Sequence, residues 1–81
     1  MGITSEKIDG HLIEVLIASS NLKSAKYHTT EESLIVEFNN GAIYEYESVP
    51  WTIFTKFRMA ESQGKYFNTE IGKKYKYKKI G

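Results

Sequence analysis

With 81 residues and no cysteine, the chain has room for one domain and one modest core, and neither a disulfide framework nor a thiolate metal site can hold it together. Its formal net charge of +1 is unevenly spread: from Lys65 onward six lysines face only Glu70, a net +5, whereas the first 64 residues set five basic side chains against nine acidic ones, a net −4. A basic excess confined to one end argues against a general duplex binder and fits a compact anionic ligand or a short strand, with a solvated lysine-rich tail as the competing reading.

Residues 1–10 are polar and are expected to form a flexible N-terminal extension ahead of a single domain over 11–81. The best apolar run, Leu12 to Ala18, is interrupted by Glu14 and falls short of a membrane span. The N-terminus also lacks the pattern of a secretory signal. The expectation is a soluble, cytoplasmic protein with no membrane partner.

A first strand is expected over 11–18, where Ile13, Val15 and Ile17 alternate with Leu12, Glu14 and Leu16. Apolar residues on both faces suggest that it is covered on each side, with a partner chain as one means, so a homo-oligomer through this strand is a candidate assembly. Ser19-Ser20-Asn21 marks a turn, a second strand follows over 22–28, and a loop covers 29–32. Over 33–38, Leu34, Val36 and Phe38 share a face. Asn39-Asn40-Gly41 then predicts a tight type I′ hairpin. The returning strand, 42–48, puts Tyr44 and Tyr46 on one face and Ile43, Glu45 and Glu47 on the other.

Pro50 suits the first turn of a helix over 50–62, where Ile53, Phe54, Phe57 and Ala60 make an apolar stripe and Gly64 is a natural stop. A short helix is expected over 66–71, closed by Gly72, and an edge strand guarded by lysines over 75–80. The fold class is therefore α+β: a small antiparallel sheet packed on one helix and a short second one.

Groupings that carry catalysis are missing. His11 and His28 form no HExxH pair, no carboxylate spacing suggests a metal, and neither a nucleophile elbow nor a phosphate-binding glycine pattern is present. Glu45 and Glu47 lie on one strand face, where acids most often meet solvent or lysines. The chain is read as non-enzymatic, with no metal and no cofactor.

The pattern that does suggest chemistry is aromatic and basic. Tyr44, Tyr46, Tyr66, Tyr75 and Tyr77 interleave with Lys65, Lys73, Lys74, Lys76 and Lys78. Rings of this kind stack on bases and lysines neutralise phosphate. For Tyr44 and Tyr46 a core or boundary role outranks ligand contact, since alternating tyrosines commonly form the half-buried face of a sheet. Lys73 and Lys74 suit a phosphate-facing role and a plain solvated surface equally. Asn68 and Asn21 read first as backbone tethers and second as polar contacts. The candidate ligand-binding set is Tyr44, Tyr46, Lys65, Tyr66, Asn68, Lys73, Lys74, Tyr75, Lys76 and Tyr77.

Ser19-Ser20-Asn21, Val36-Glu37-Phe38 with Asn40-Gly41, Tyr44-x-Tyr46, Val49-Pro50, Ala60-Glu61-Ser62, Gly64-Lys65-Tyr66-Phe67-Asn68, Ile71 and Tyr75 fall in the order of the KTSC domain. The resemblance spans roughly residues 15 to 80. That family takes its name from the C-terminus of some lysyl-tRNA synthetases and also occurs as stand-alone bacterial and phage proteins. The resemblance implies a small α+β domain with no established activity, for which RNA binding has been suggested, and it supplies no catalytic residues.

Three functions follow as expectations. The first is a non-catalytic RNA-binding module, with Tyr44 and Tyr46 stacking on bases and the lysines on the backbone. The second is a phage-type oligomer that sequesters a small nucleotide, such as an immune signalling molecule, between subunits. The third is a protein-interaction module anchored near Trp51 and Phe54, which would require an exposed Trp51.

Overall fold

A computed structural model describes residues 2–81. Six antiparallel strands pair in sequence order: β1 Gly2–Asp9, β2 Leu12–Ala18, β3 Leu22–His28, β4 Ser33–Phe38, β5 Ile43–Tyr46 and β6 Tyr77–Lys79. Between β5 and β6 the chain crosses one face of the sheet as helix α1, Trp51–Met59, then helix α2, Gln63–Tyr66, which runs on into a π-helical turn, Phe67–Ile71. The architecture is α+β, as the residue pattern implied.

The core lies between the sheet and these helices. One row of side chains, Ile13, Tyr27, Leu34 and Tyr46, runs straight across four strands to Tyr77, and a second runs Val15, Ala25, Val36, Tyr44 to Lys79. The period-two alternation of each strand sends these residues to the helix side. There they meet Phe54 and Phe57 of α1 and Phe67 and Ile71 of the π turn, all buried. Tyr27 stacks on Phe54 at a centroid separation of 4.5 Å, and its hydroxyl donates to Val49 O at 2.6 Å. Burying each large apolar side chain contributes about 1.5–3 kcal/mol. The opposite sheet face has no helix over it. It carries a row alternating in charge, Lys7, Glu14, Lys26, Ile35, Glu45 and Lys78, with ion pairs at 3.9 Å (Lys26–Glu14) and 3.5 Å (Lys78–Glu45).

Several expectations need correction. Residues 2–9 are not a loose extension: they pair along β2, and Ile3 packs against the core. The pattern was hidden because this edge strand is polar on one side and barely covered on the other. Among the described residues, β1 and β3 pair with the two edges of β2, and Leu16 on its outer face is exposed. The strand expected over 42–48 covers only Ile43–Tyr46, and the last strand only Tyr77–Lys79.

In the β4–β5 hairpin only Gly41 has positive φ, +92°. Gly41 N–H donates to Phe38 O and Phe38 N–H to Ala42 O, each at 2.9 Å. This is a three-residue loop and not the two-residue type I′ turn expected from Asn-Gly.

The first helix stops at Met59, before the expected 62, because Gln63 folds back to receive its last carbonyls. Gln63 Nε2 donates to Phe57 O, Arg58 O and Ala60 O at 3.3, 3.3 and 2.8 Å. Gly64 is accordingly not a helix stop. It lies in the first turn of α2, buried, where a Cβ would stand 2.6 Å from Asn21 Oδ1 and 3.1 Å from Ser19 Oγ. A side chain there would press on the Asn21 and Ser19 side chains of the β2–β3 turn, so glycine is favoured by close approach and not by φ.

Candidate functional site

The meander leaves two turns at one end of the sheet, Ser19–Asn21 between β2 and β3 and Asn39–Gly41 between β4 and β5. They are tied together: Asn39 N–H donates to Asn21 O at 2.9 Å, and Asn39 Nδ2 donates to Ser19 O at 3.0 Å. The helical segment 63–71 passes beside them, and Ser62 caps it by accepting from Lys65 N–H at 3.3 Å. At Phe67 the helix widens into its π turn, where Gly72 N–H reaches back five residues to Phe67 O at 2.7 Å. Such wide turns are frequent at functional positions.

Between the π turn and the β4–β5–β6 corner lies an open groove of about 630 Å³, within the range of ligand sites. Its floor is aromatic. Phe38 packs edge-on against both Tyr44 and Phe67, Tyr44 against Tyr77 at 5.6 Å, and Tyr46 against Phe67 at 5.2 Å. Tyr77 is 55% exposed and Tyr46 only 5%, so Tyr44 and Tyr77 offer ring surface while Tyr46 closes the floor. Burial, with the neighbouring Tyr77 and Tyr44 hydroxyls adding to it, pushes the Tyr46 hydroxyl up to about 12, and it stays neutral at any physiological pH. Asn68 and Lys73 stand on the rim. Both are exposed, and among the described residues neither side chain has a hydrogen-bond or ion-pair partner.

The groove thus gathers Tyr44, Tyr46, Asn68, Lys73 and Tyr77 from the expected set. The other five lie elsewhere. Lys65 lines two other depressions, one of which it shares with Asn68. Tyr66 packs on Phe57 at 6.4 Å, and burial raises its hydroxyl above the ordinary tyrosine value. Lys74 is held by Glu70 at 3.0 Å, a hydrogen-bonded pair that raises its own pKa. Tyr75 and Lys76 line a separate depression that also holds Glu47. The aromatic–lysine interleaving of the tail therefore does not make one patch, because strand alternation and the turn after Gly72 send neighbouring residues different ways. Lys78, for example, pairs with Glu45 on the opposite sheet face.

Phe38, Asn40, Phe67 and Gly72 also line the groove and were not expected as site residues. The register that sets Tyr44 beside Phe38 was the available signal for the first two. The π turn that brings in the others left none. Among the described residues no cluster of three metal-binding side chains occurs, and no helix is long and apolar enough to cross a membrane.

Residues 18–75 match the KTSC domain family. The chain belongs to that family. A KTSC domain protein from Yersinia pestis, known from its crystal structure, superposes with a TM-score of 0.79 at 30% sequence identity, covering 86% of this chain and 99% of that one. Lysine–tRNA ligase of Trichormus variabilis is 38% identical over 61 residues, which are 75% of this chain and 11% of that enzyme. A protein of Stutzerimonas stutzeri is 41% identical over 54 residues, 67% of this chain and 76% of that protein. The KTSC chain described above thus spans about a tenth of the ligases it matches. The family match runs from Ala18 to Tyr75, so β1, nearly all of β2 and β6 lie outside it, whereas both turns, the helical segment and every groove residue except Tyr77 lie within it.

Proposed function

We propose that this KTSC protein is a non-catalytic binding module for a nucleotide-containing ligand, with single-stranded RNA as its first ligand class. The observation that carries the reading is the convergence of Tyr44 and Tyr77 ring surface with the unpaired Lys73 ammonium and Asn68 amide around one open groove. Stacking on an exposed aromatic contributes roughly 1–3 kcal/mol per base and is tolerant of sequence, and lysine on the rim supplies the phosphate contact. An amide donates and accepts at once, which suits a base edge or a ribose hydroxyl. The similarity to a segment of lysine–tRNA ligases supports RNA over other nucleotide ligands by analogy. A free small nucleotide satisfies the same chemistry and is the alternative occupant, as in a sequestering protein.

The test is fluorescence anisotropy with a labelled, unstructured RNA of roughly ten nucleotides, within the site size of small single-strand binders. Binding that weakens steeply with salt, and weakens again in Lys73→Ala and Tyr77→Ala, supports the reading. Binding indifferent to salt and to both substitutions contradicts it.

A second reading rests on a different face. Trp51 is 45% exposed, with the Arg58 guanidinium 5.3 Å from its ring centroid and Arg58 bound to Glu6 at 2.9 Å. A half-exposed tryptophan fixed by its neighbours is a suitable anchor for a protein partner. Trp51 is the single tryptophan, so its emission reports on that face directly.

A further inference from the structure

Adjoining the groove at Asn68 is a second pocket of about 620 Å³, between the Ser19–Asn21 turn and the first turns of the helical segment. Asn68 lines both cavities. The two turns beside them, Ser19–Asn21 lining the second and Asn39–Gly41 reaching the first through Asn40, are tied together by the bonds from Asn39 to Asn21 O and Ser19 O. The two cavities differ in character. The first has the aromatic floor, whereas the second has no aromatic lining at all and is built of hydroxyls, amides and one lysine.

Some of those polar groups are already used. Ser19 Oγ donates to Asn21 Oδ1 at 2.9 Å, Ser62 Oγ accepts from Lys65 N–H, and Thr69 Oγ1 donates to Lys65 O at 3.0 Å. What remains unengaged among the described residues is the Ser20 hydroxyl, the Asn21 Nδ2 amide, the Asn68 amide and the Lys65 ammonium. All four can donate and one is a cation. That is the chemistry of a phosphate and its sugar, with no surface on which a base would stack.

We propose that the Ser20–Asn21–Lys65–Asn68 pocket is a second subsite, adjoining the aromatic groove at Asn68, which holds the next sugar-phosphate unit, so that the ligand recognised is a dinucleotide step and not a single nucleotide. The inference rests on the nucleotide reading of the groove and deepens it. Lys73 and Lys65 then serve one phosphate each. Tyr44 and Tyr77 take the base of the first unit, and the base of the second projects to solvent. Preference is consequently for chain length and backbone, with base identity sensed at one position only.

The test is calorimetric titration of the full chain with adenosine 5′-monophosphate and with the 5′-phosphorylated dinucleotide pApA, in the native protein and in Lys65→Ala. Lys65 is exposed and makes no side-chain bond, so circular dichroism should report an unaltered fold. Filling a second subsite is expected to give pApA an advantage of about tenfold over the mononucleotide, corresponding to ~1.4 kcal/mol, and Lys65→Ala should shrink that ratio to within about twofold. If both ligands bind with equal affinity, the second subsite is wrong and the groove reading stands. If the advantage exists but survives Lys65→Ala, the second unit lies elsewhere and the assignment is again overturned. If neither nucleotide binds and RNA does not bind either, the groove reading itself fails and the subsite falls with it.

Discussion

Asn21 Oδ1 occupies the space that a Cβ on Gly64 would need, 2.6 Å from that position. The contact joins the β2–β3 turn to the buried first turn of the second helix and sets the back wall of the polar pocket. Gly64→Ala should force Asn21 and Ser19 outward. Overpacking of this kind costs about 1–3 kcal/mol, and the better helix propensity of alanine returns less than about 1 kcal/mol. Urea denaturation is expected to show a net loss. Adding Asn21→Ala should recover part of it, giving a coupling of at least about 0.5 kcal/mol in the double-mutant cycle. Independent, additive effects would mean that the two residues do not share this space.

Gln63 should behave as a helix cap held from outside the helix. Its amide nitrogen serves three carbonyls at the end of α1, and the residue is only 2% exposed. Gln63→Met keeps the volume but takes this donor from Arg58 O and Ala60 O, while Phe57 O keeps the Ala60 N–H, at a cost of about 1–3 kcal/mol. A lowered denaturation midpoint with unchanged slope is the expected result.

Tyr27→Phe removes the 2.6 Å bond to Val49 O while preserving the stack on Phe54. A buried carbonyl loses its partner, so a loss of about 1–2 kcal/mol is expected, again read by denaturation.

Tyr46 gives stability a dependence on alkaline pH. Its folded value is about 12 against an ordinary 10.0, so the unfolded chain releases this proton first as pH rises. The stabilisation is complete below pH 10 and is lost between about 10 and 12, at 1.36 kcal/mol per pH unit, or roughly 2–3 kcal/mol in all. Tyr46→Phe should flatten that part of the curve. The difference between the two proteins isolates Tyr46 from Tyr27, whose hydroxyl is also raised, chiefly by burial. Parallel curves would contradict the burial of this hydroxyl.

The sheet and the main helix were legible in the residues because alternation in 33–38 and 42–46 and the Phe54–Phe57 spacing are direct consequences of one-sided burial. β1 was not legible, since an edge strand such as Ser5–Asp9 buries almost nothing and so needs no apolar pattern. Gly64 misled, and Gln63 drew no reading, for a related reason: their roles depend on what the distant Asn21 turn and the end of α1 bring beside them. Half of the candidate set, Tyr44, Tyr46, Asn68, Lys73 and Tyr77, meets in the groove. Lys74, Tyr75 and Lys76 are drawn away by one ion pair, core packing and a change of direction after Gly72, none of which composition can encode. The missing partner of the tyrosines, Phe38, was implied by strand register, and Phe67 by nothing short of the π turn.

The most direct measurement is two-dimensional amide NMR of the labelled protein titrated with a short unstructured RNA. Progressive shifts are expected to be confined to Phe38–Tyr46 and Phe67–Tyr77, joined by Ser20, Asn21 and Lys65, with the Trp51 region unmoved. Shifts centred on Trp51 and β1, or none at RNA concentrations that saturate other small single-strand binders, would contradict the proposed function.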